Sequence, residues 1–286
     1  MHVALALLRG LGRLPLPLLR LLGVLLGTVL FVLAGQRRRV ALTNLRLCFP
    51  QWSIARRYGV VWQHVVVMMQ SLLDRGWLWY APRSLLERRV RWRDLEYFEQ
   101  ARAQGLVILL APHFVSMDAG GTRVGMDWHA ACMYSRQKSP VFDAAVLAGR
   151  ARFNAPVLLT RQDGVRGIVR TILQGTLFHY SPDMDLGARD AVFVPFFGVP
   201  AATVTAPARL AKLCKARIVP CVTRMTWWGY EVRLYPAWEN YPSGDAEADA
   251  TRMNQFIEQR ILEMCPQYLW THKRFKTRPA GEAKPY

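Results

Sequence analysis

His113 and Asp118 lie five positions apart in Leu106-Val-Ile-Leu-Leu-Ala-Pro-His-Phe-Val-Ser-Met-Asp-Ala-Gly-Gly121. A carboxylate on one imidazole nitrogen fixes the tautomer and leaves the other nitrogen as a general base. The apolar run Leu106 to Ala111 has strand character, and Pro112 ends it because proline cannot donate to a ladder. Five helical positions turn the chain by about 500°, so the two side chains do not share a helix face. They meet only if His113 sits in the strand-to-helix turn and Asp118 in the first helical turn, with Ser116 as N-cap. Gly120 and Gly121 leave room for a close approach. The same residues also make an ordinary helix start beside a loop histidine, and spacing alone leaves both readings standing. The position matters more, since α/β folds gather their ligands where buried strands end.

Other groups with chemical potential lie near expected strand ends. Arg161 follows the run Pro156 to Thr160, and Arg166 and Arg170 share a helix face. They form either a guanidinium fork for phosphate or carboxylate, or, with Asp163, a surface ion-pair cluster. Tyr180-Ser-Pro-Asp183-Met-Asp185-Leu-Gly187 carries two acids, which either cap an Asx-type turn or close the site and orient arginines. Arg136, Lys138 and the aromatic and basic tail Tyr268 to Arg278 supply further cations. Arg161, Arg166, Arg136, Asp183 and Asp185 are therefore the candidate substrate-binding residues. The five cysteines are scattered without a C-x-x-C pair, which points to neither a disulfide framework nor a zinc site. The body of the protein then belongs in a reducing compartment.

The elements that must position these groups alternate. Strands are expected near 106–111, 129–134, 156–160, 177–181, 217–224 and 230–236, with helices near 118–126, 141–152, 164–174, 205–215 and 247–264. Such alternation gives an α/β class: a mixed central sheet flanked by helices. The last two strands flank a short connection at Trp227-Trp228-Gly229 and must be antiparallel. Gln51 to Tyr80 reads as a long helix whose Trp and Met stripe is core, with a wall for a lipid chain or an interfacial belt as the other uses.

Charge is unevenly spread. Of the net +18, nine arginines and no acid lie between Met1 and Leu73. They are interleaved with Leu, Val and Trp, which suits anionic lipid better than nucleic acid. Leu14 to Gly35 is apolar except for Arg20, and Arg37-Arg38-Arg39 follows. A cleaved signal peptide ending near Val32-Leu-Ala34 and a buried core helix compete with a single membrane anchor, with Arg20 snorkelling at one end. The anchor reading divides the chain into residues 1–35, the anchor, and 36–286, the catalytic domain with its basic tail.

Taken in order, Arg37–Pro50 (RRRVALTNLRLCFP), the H-x4-D block, Arg161-Gln-Asp-Gly-Val-Arg166, Tyr180–Gly187, Phe193-Val-Pro-Phe-Phe-Gly198 and Tyr268–Pro279 resemble the late acyltransferases of lipid A biosynthesis, the lauroyl/myristoyl transferases of Gram-negative bacteria. The resemblance implies a glycerolipid-acyltransferase-like fold at the cytoplasmic face of the inner membrane. It implies transfer of an acyl chain from acyl carrier protein to a hydroxyl on a 3-hydroxyacyl chain of a Kdo-bearing lipid A precursor. His113 takes the place of the catalytic histidine and Asp118 that of its acidic partner, where many members carry Glu. A thioester is already activated, so a base, an oxyanion donor and apolar grooves suffice, with no metal or organic cofactor. Cys132 has no base beside it in sequence, which favours direct transfer over an acyl-enzyme. The alternatives are a glycerophospholipid acyltransferase with the same pair and a non-catalytic basic protein that binds membrane lipid. Expected partners are acyl carrier protein, lipid A precursor and membrane lipid, with no nucleic acid.

Overall fold

The computed structural model describes residues 2–286, apart from the side chain of Arg161. Four helices come first: α1 (His2–Leu11), α2 (Leu16–Leu33), α3 (Gly35–Cys48) and α4 (Ile54–Leu78). Pro15 and Pro17 open α2, where a missing N–H costs nothing. Ser53 caps α4 by accepting the Arg56 N–H at 3.2 Å. Next come α5 (Arg83–Arg89), β1 (Val90–Arg93), α6 (Glu96–Ala103), β2 (Val107–Leu110), α7 (Met117–Asp127), β3 (Ala130–Met133), α8 (Pro140–Arg150), β4 (Val157–Leu159), α9 (Gly164–Leu173) and β5 (Leu177–Tyr180). The chain closes with β6 (Ala191–Phe196), β7 (Val199–Val204), α10 (Ala206–Cys214), β8 (Arg217–Thr226), β9 (Gly229–Leu234) and α11 (Ala246–Glu263).

Seven strands form one sheet in the order β1-β9-β8-β2-β5-β3-β4. All neighbours are parallel except β8 and β9, whose antiparallel register runs from Cys221↔Leu234 to Thr226↔Gly229. This is the mixed sheet expected from the sequence. β2 lies in its interior with helices on both sides, and its side chains alternate between two cores. Val107 and Leu109 join Trp77, Val219 and Met126 on one face, while Ile108 and Leu110 join Phe178, Ile218 and Trp270 on the other. Such double-sided burial explains the unbroken apolar run. β5 forms after β3 and β4 yet inserts between β2 and β3, so the loops after β2, β3, β4 and β5 open at one end of the sheet. The hairpin β6–β7 pairs only with itself.

α2 is the one described helix long and apolar enough to cross a membrane. It does not stand apart from the body, because it runs antiparallel along α4. A Cβ on Gly27 would lie 2.6 Å from Val66 Cα, so only glycine permits that backbone approach. Arg20, expected to snorkel, is instead 1% exposed. Its Nη1 donates to Asp74 Oδ2 at 2.5 Å, and Gln70 Nε2 donates to the Arg20 carbonyl at 3.0 Å. Asp74 also accepts from Trp77 Nε1 at 2.9 Å and from the Tyr230 hydroxyl. A carboxylate offered by α4 makes this inward position more favourable than a reach to solvent. The opposite face of α2, with Leu18, Leu21, Leu25, Val29 and Val32, is exposed.

Candidate active site

At the carboxyl end of β2 the chain turns through Pro112 and His113 into α7. That turn is held from three sides. Leu269 N–H donates to the His113 carbonyl at 3.0 Å, Val115 N–H to the Gln267 carbonyl at 2.8 Å, and Ser71 Oγ of α4 to the Val115 carbonyl at 2.9 Å. The aromatic and basic tail is therefore not a solvated end. Trp270, Arg274 and Phe275 are buried, and Arg274 donates to the Ala202 carbonyl at 2.8 Å.

The carboxylate on His113 comes from Asp183, not from Asp118 as the spacing suggested. His113 Nδ1 lies 2.7 Å from Asp183 Oδ1, and the His113 backbone N–H donates to the same carboxylate at 2.9 and 3.1 Å. Burial alone would raise the Asp183 carboxyl. The His113 ring and its hydrogen bonds outweigh that and hold the carboxyl below the usual range. No described side chain engages Nε2 of His113. Asp185, in the same loop, accepts from Thr277 Oγ1 and the Gly187 N–H at 2.7 and 3.0 Å. The second bond is the Asx-turn expected there, and the first ties the tail to the loop. Asp183 and Asp185 are each 2% exposed, so neither presents a substrate-binding surface.

Asp118 sits in the first turn of α7, as expected, but its oxygens are taken by two arginines. Arg75 of α4 donates to Oδ2, and Arg150 of α8 donates to Oδ1 at 2.9 Å. Burial would raise the Asp118 carboxyl, and the two guanidinium groups drive it well below the ordinary carboxylate range instead. Two fixed cations outcompete an imidazole for a short side chain. Ser116 precedes α7 without capping it: its backbone is near the helical region, and its hydroxyl donates to the Thr223 carbonyl at 2.7 Å. The room left by Gly120 is filled by Thr223 of β8, while Gly121 faces the cavity.

His113, Asp118 and Arg150 share one cavity of about 330 Å³. Val124, Ala131, Cys132, Phe153, Leu158 and Ile168 also line it, so much of its wall is apolar. His179 of β5 also lines it, and burial first, then the neighbouring Arg150 and His113, lower that ring to about 4. His179 is therefore neutral near pH 7. Burial likewise raises the Cys132 thiol above its usual value, away from nucleophilic thiolate. Met184 lines the wall. None of the α4 Trp and Met stripe does: Trp77 is buried in the core, Met68 and Met69 are half-buried, and Trp62 is exposed and donates to Thr28 Oγ1 of α2 at 3.0 Å.

The remaining candidate arginines do not converge. Arg166 and Arg136 are exposed and outside the cavity lining, and the side chain of Arg161 lies outside the described residues. Asp163 does not pair with Arg166, because it accepts from the Thr160 N–H and hydroxyl, each at 2.7 Å. Arg75, Arg150 and His179 were missed. The one available signal was polar: Asp74-Arg75 follows a stretch of α4, Tyr58 to Leu73, that carries no Asp, Glu, Lys or Arg, and His179 interrupts a buried strand.

A parallel-rich sheet carries His113 at its carboxyl edge, beside a largely apolar cavity. The sequence model for bacterial lipid A biosynthesis acyltransferases matches residues 1–277, and the chain belongs to that family. The lipid A biosynthesis lauroyltransferase of Escherichia coli K12 is 34% identical over 282 residues, covering 96% of this chain and 90% of the relative. The lipid A biosynthesis palmitoleoyltransferase of the same strain is 31% identical, with the same coverage of both chains. Its lipid A biosynthesis myristoyltransferase is 33% identical over 263 residues, 89% of this chain and 80% of the relative. Three relatives at nearly equal identity name three different acyl groups, so identity does not assign a chain length.

Proposed function

We propose that this chain moves a fatty acyl group from the thioester of acyl carrier protein to a hydroxyl on a 3-hydroxyacyl chain of a Kdo-bearing lipid A precursor. In this reading it works at the cytoplasmic face of the bacterial inner membrane, attached through α2. The observation that carries the reading is His113, with Nδ1 fixed by Asp183 and Nε2 unengaged, at a largely apolar cavity. The cavity takes the acyl chain of the donor, each buried methylene contributing about 0.8 kcal/mol.

His113 Nε2 removes the acceptor proton as the hydroxyl oxygen attacks the thioester carbonyl. The carbonyl oxygen becomes an oxyanion, which we assign to Arg150, the guanidinium that Asp118 holds in the cavity wall. Collapse of the tetrahedral centre breaks the carbon–sulfur bond, and the imidazolium returns its proton to the departing thiolate. Asp183 keeps the tautomer and steadies the imidazolium. Asp118 is thus a positioning residue for arginines rather than the partner of His113. The raised Cys132 thiol supports direct transfer without an acyl-enzyme. Because the thioester is already activated, the step needs no metal or organic cofactor.

Purified protein offered mixed acyl carrier thioesters together with lipid A precursor and lysophospholipid should add mass only to the precursor, read by mass spectrometry. Gain of mass by lysophospholipid alone would make it a glycerophospholipid acyltransferase, and no consumption of thioester would make it a lipid-binding protein. His113→Ala should lower turnover by about 10²–10⁴ while remaining folded. An active His113→Ala enzyme sinks the base assignment.

A further inference from the structure

A second cavity, of about 640 Å³, lies between α3, the start of α4 and the tail, and one of its lining residues, Tyr58, packs on Phe31 near the carboxyl end of α2. Its cations are Arg39, Arg46, Arg57 and Lys273, and no Asp or Glu lines it. Arg57 is committed to the protein, with Nη2 donating to the Phe49 and Pro50 carbonyls at 3.2 and 2.7 Å. Arg39, Arg46 and Lys273 are exposed and have no carboxylate partner among the described residues. Ile54, 72% exposed, and Tyr58, 44% exposed, stand beside them. The Phe31 ring meets Tyr58 edge-on at 6.4 Å, and Arg38 closes the last carbonyls of α2 at Phe31 and Val32. The carboxyl end of α2, which carries the exposed Val29 and Val32, is thus joined through Phe31 and Tyr58 to a cleft lined by cations.

An apolar track ending at unpaired cations has the layout of an acyl chain and its phosphate. We infer that this cleft binds the headgroup phosphate of an anionic phospholipid of the surrounding bilayer. Bulk lipid fits better than the acceptor. Tyr58 lies about 20 Å along α4 from Ser71, whose hydroxyl holds the His113 turn, so a lipid here does not present its chain to the base. The inference rests on the membrane attachment proposed above but not on the chemistry, and its test reads binding without turnover.

Full-length protein would be floated with vesicles of phosphatidylcholine alone or mixed with phosphatidylglycerol. The variant Arg39→Gln/Arg46→Gln/Lys273→Gln should lose the preference for phosphatidylglycerol, by about fivefold per cation removed. Lys212→Gln/Lys215→Gln/Arg217→Gln, which removes the same charge at the amino end of β8, should keep it. An unchanged preference in the cleft variant, or equal loss in both, overturns the site. Two further arms name other occupants. If the cleft variant fails only on phosphatidylcholine vesicles whose sole anionic lipid is the lipid A precursor, the phosphate is the acceptor's and the inference falls. It also falls if the variant floats normally but loses affinity for acyl carrier protein without vesicles. A protein that keeps its phosphatidylglycerol preference yet transfers no acyl group would refute the proposed function and leave the cleft standing.

Discussion

Asp74 and Arg75 are neighbours on α4, yet they serve different regions. Asp74 turns toward α2 and is sealed with Arg20, Trp77 and Tyr230, whereas Arg75 turns toward α7 and meets Asp118 at a cavity wall. In the first pair both side chains are at most 1% exposed, and in the second both exceed 20%. The contrast separates two uses of one interaction. A sealed pair fixes how helices sit together, while a pair bordering a cavity holds charge where, in the proposed reaction, the thioester arrives. It also shows that the amino-terminal helices are part of the body's packing.

The strongest way to break this comparison is to delete residues 1–35. That removes the cover over Asp74, Gln70, Val66 and Trp77, so the remaining chain should aggregate. A monodisperse, folded fragment 36–286 would show α2 to be a detachable anchor after all. Point substitutions sharpen the contrast. Arg20→Ala leaves a buried carboxylate short of its cation and should cost about 3–5 kcal/mol in denaturant unfolding, with kcat/KM per folded molecule unchanged. Asp118→Asn should do the reverse, lowering kcat/KM by about tenfold or more with a smaller loss of stability. Equal effects of the two on both readouts would erase the distinction.

The smallest expected effect is on pH. Burial is the first cause that lowers His64, His179 and His272 to about 4, from an ordinary value of 6.5. Between those values the unfolded chain binds protons that the folded chain refuses, so stability falls as pH drops from 6.5 toward 4. Each ring contributes a slope of up to about 1.4 kcal/mol per pH unit. His64→Gln, whose site lies between α4 and the Pro266 carbonyl, should flatten the acid limb of stability by that share. An unchanged slope would mean that His64 is protonated in the fold.

Much of the architecture was legible because burial writes itself into periodicity. The runs at 106–111, 177–181 and 217–224 became β2, β5 and β8. The hairpin β6–β7 was not legible, since Pro195 and Pro200 break the strand signal while pairing opposite each other. β1 was hidden because arginine occupies alternate positions of a four-residue strand. At the site, the place of His113 followed from the strand before it, but its partner did not. Asp183 arrives from the far end of β5, which only the insertion of β5 beside β2 brings near. The local carboxylate at 118 was nearer in sequence, and Arg75 and Arg150, which claim it, come from elements 43 and 32 residues away.

The grip of Asp183 on residue 113 has one further consequence. The carboxylate holds both the main-chain N–H and the ring of the same residue, so the rotations that would carry the imidazole away from the cavity are removed when the chain folds. The entropy of aiming the base is thus lost once, during folding, and not again at each encounter with substrate. In the proposed reaction, a base prepared this way gains rate through effective molarity.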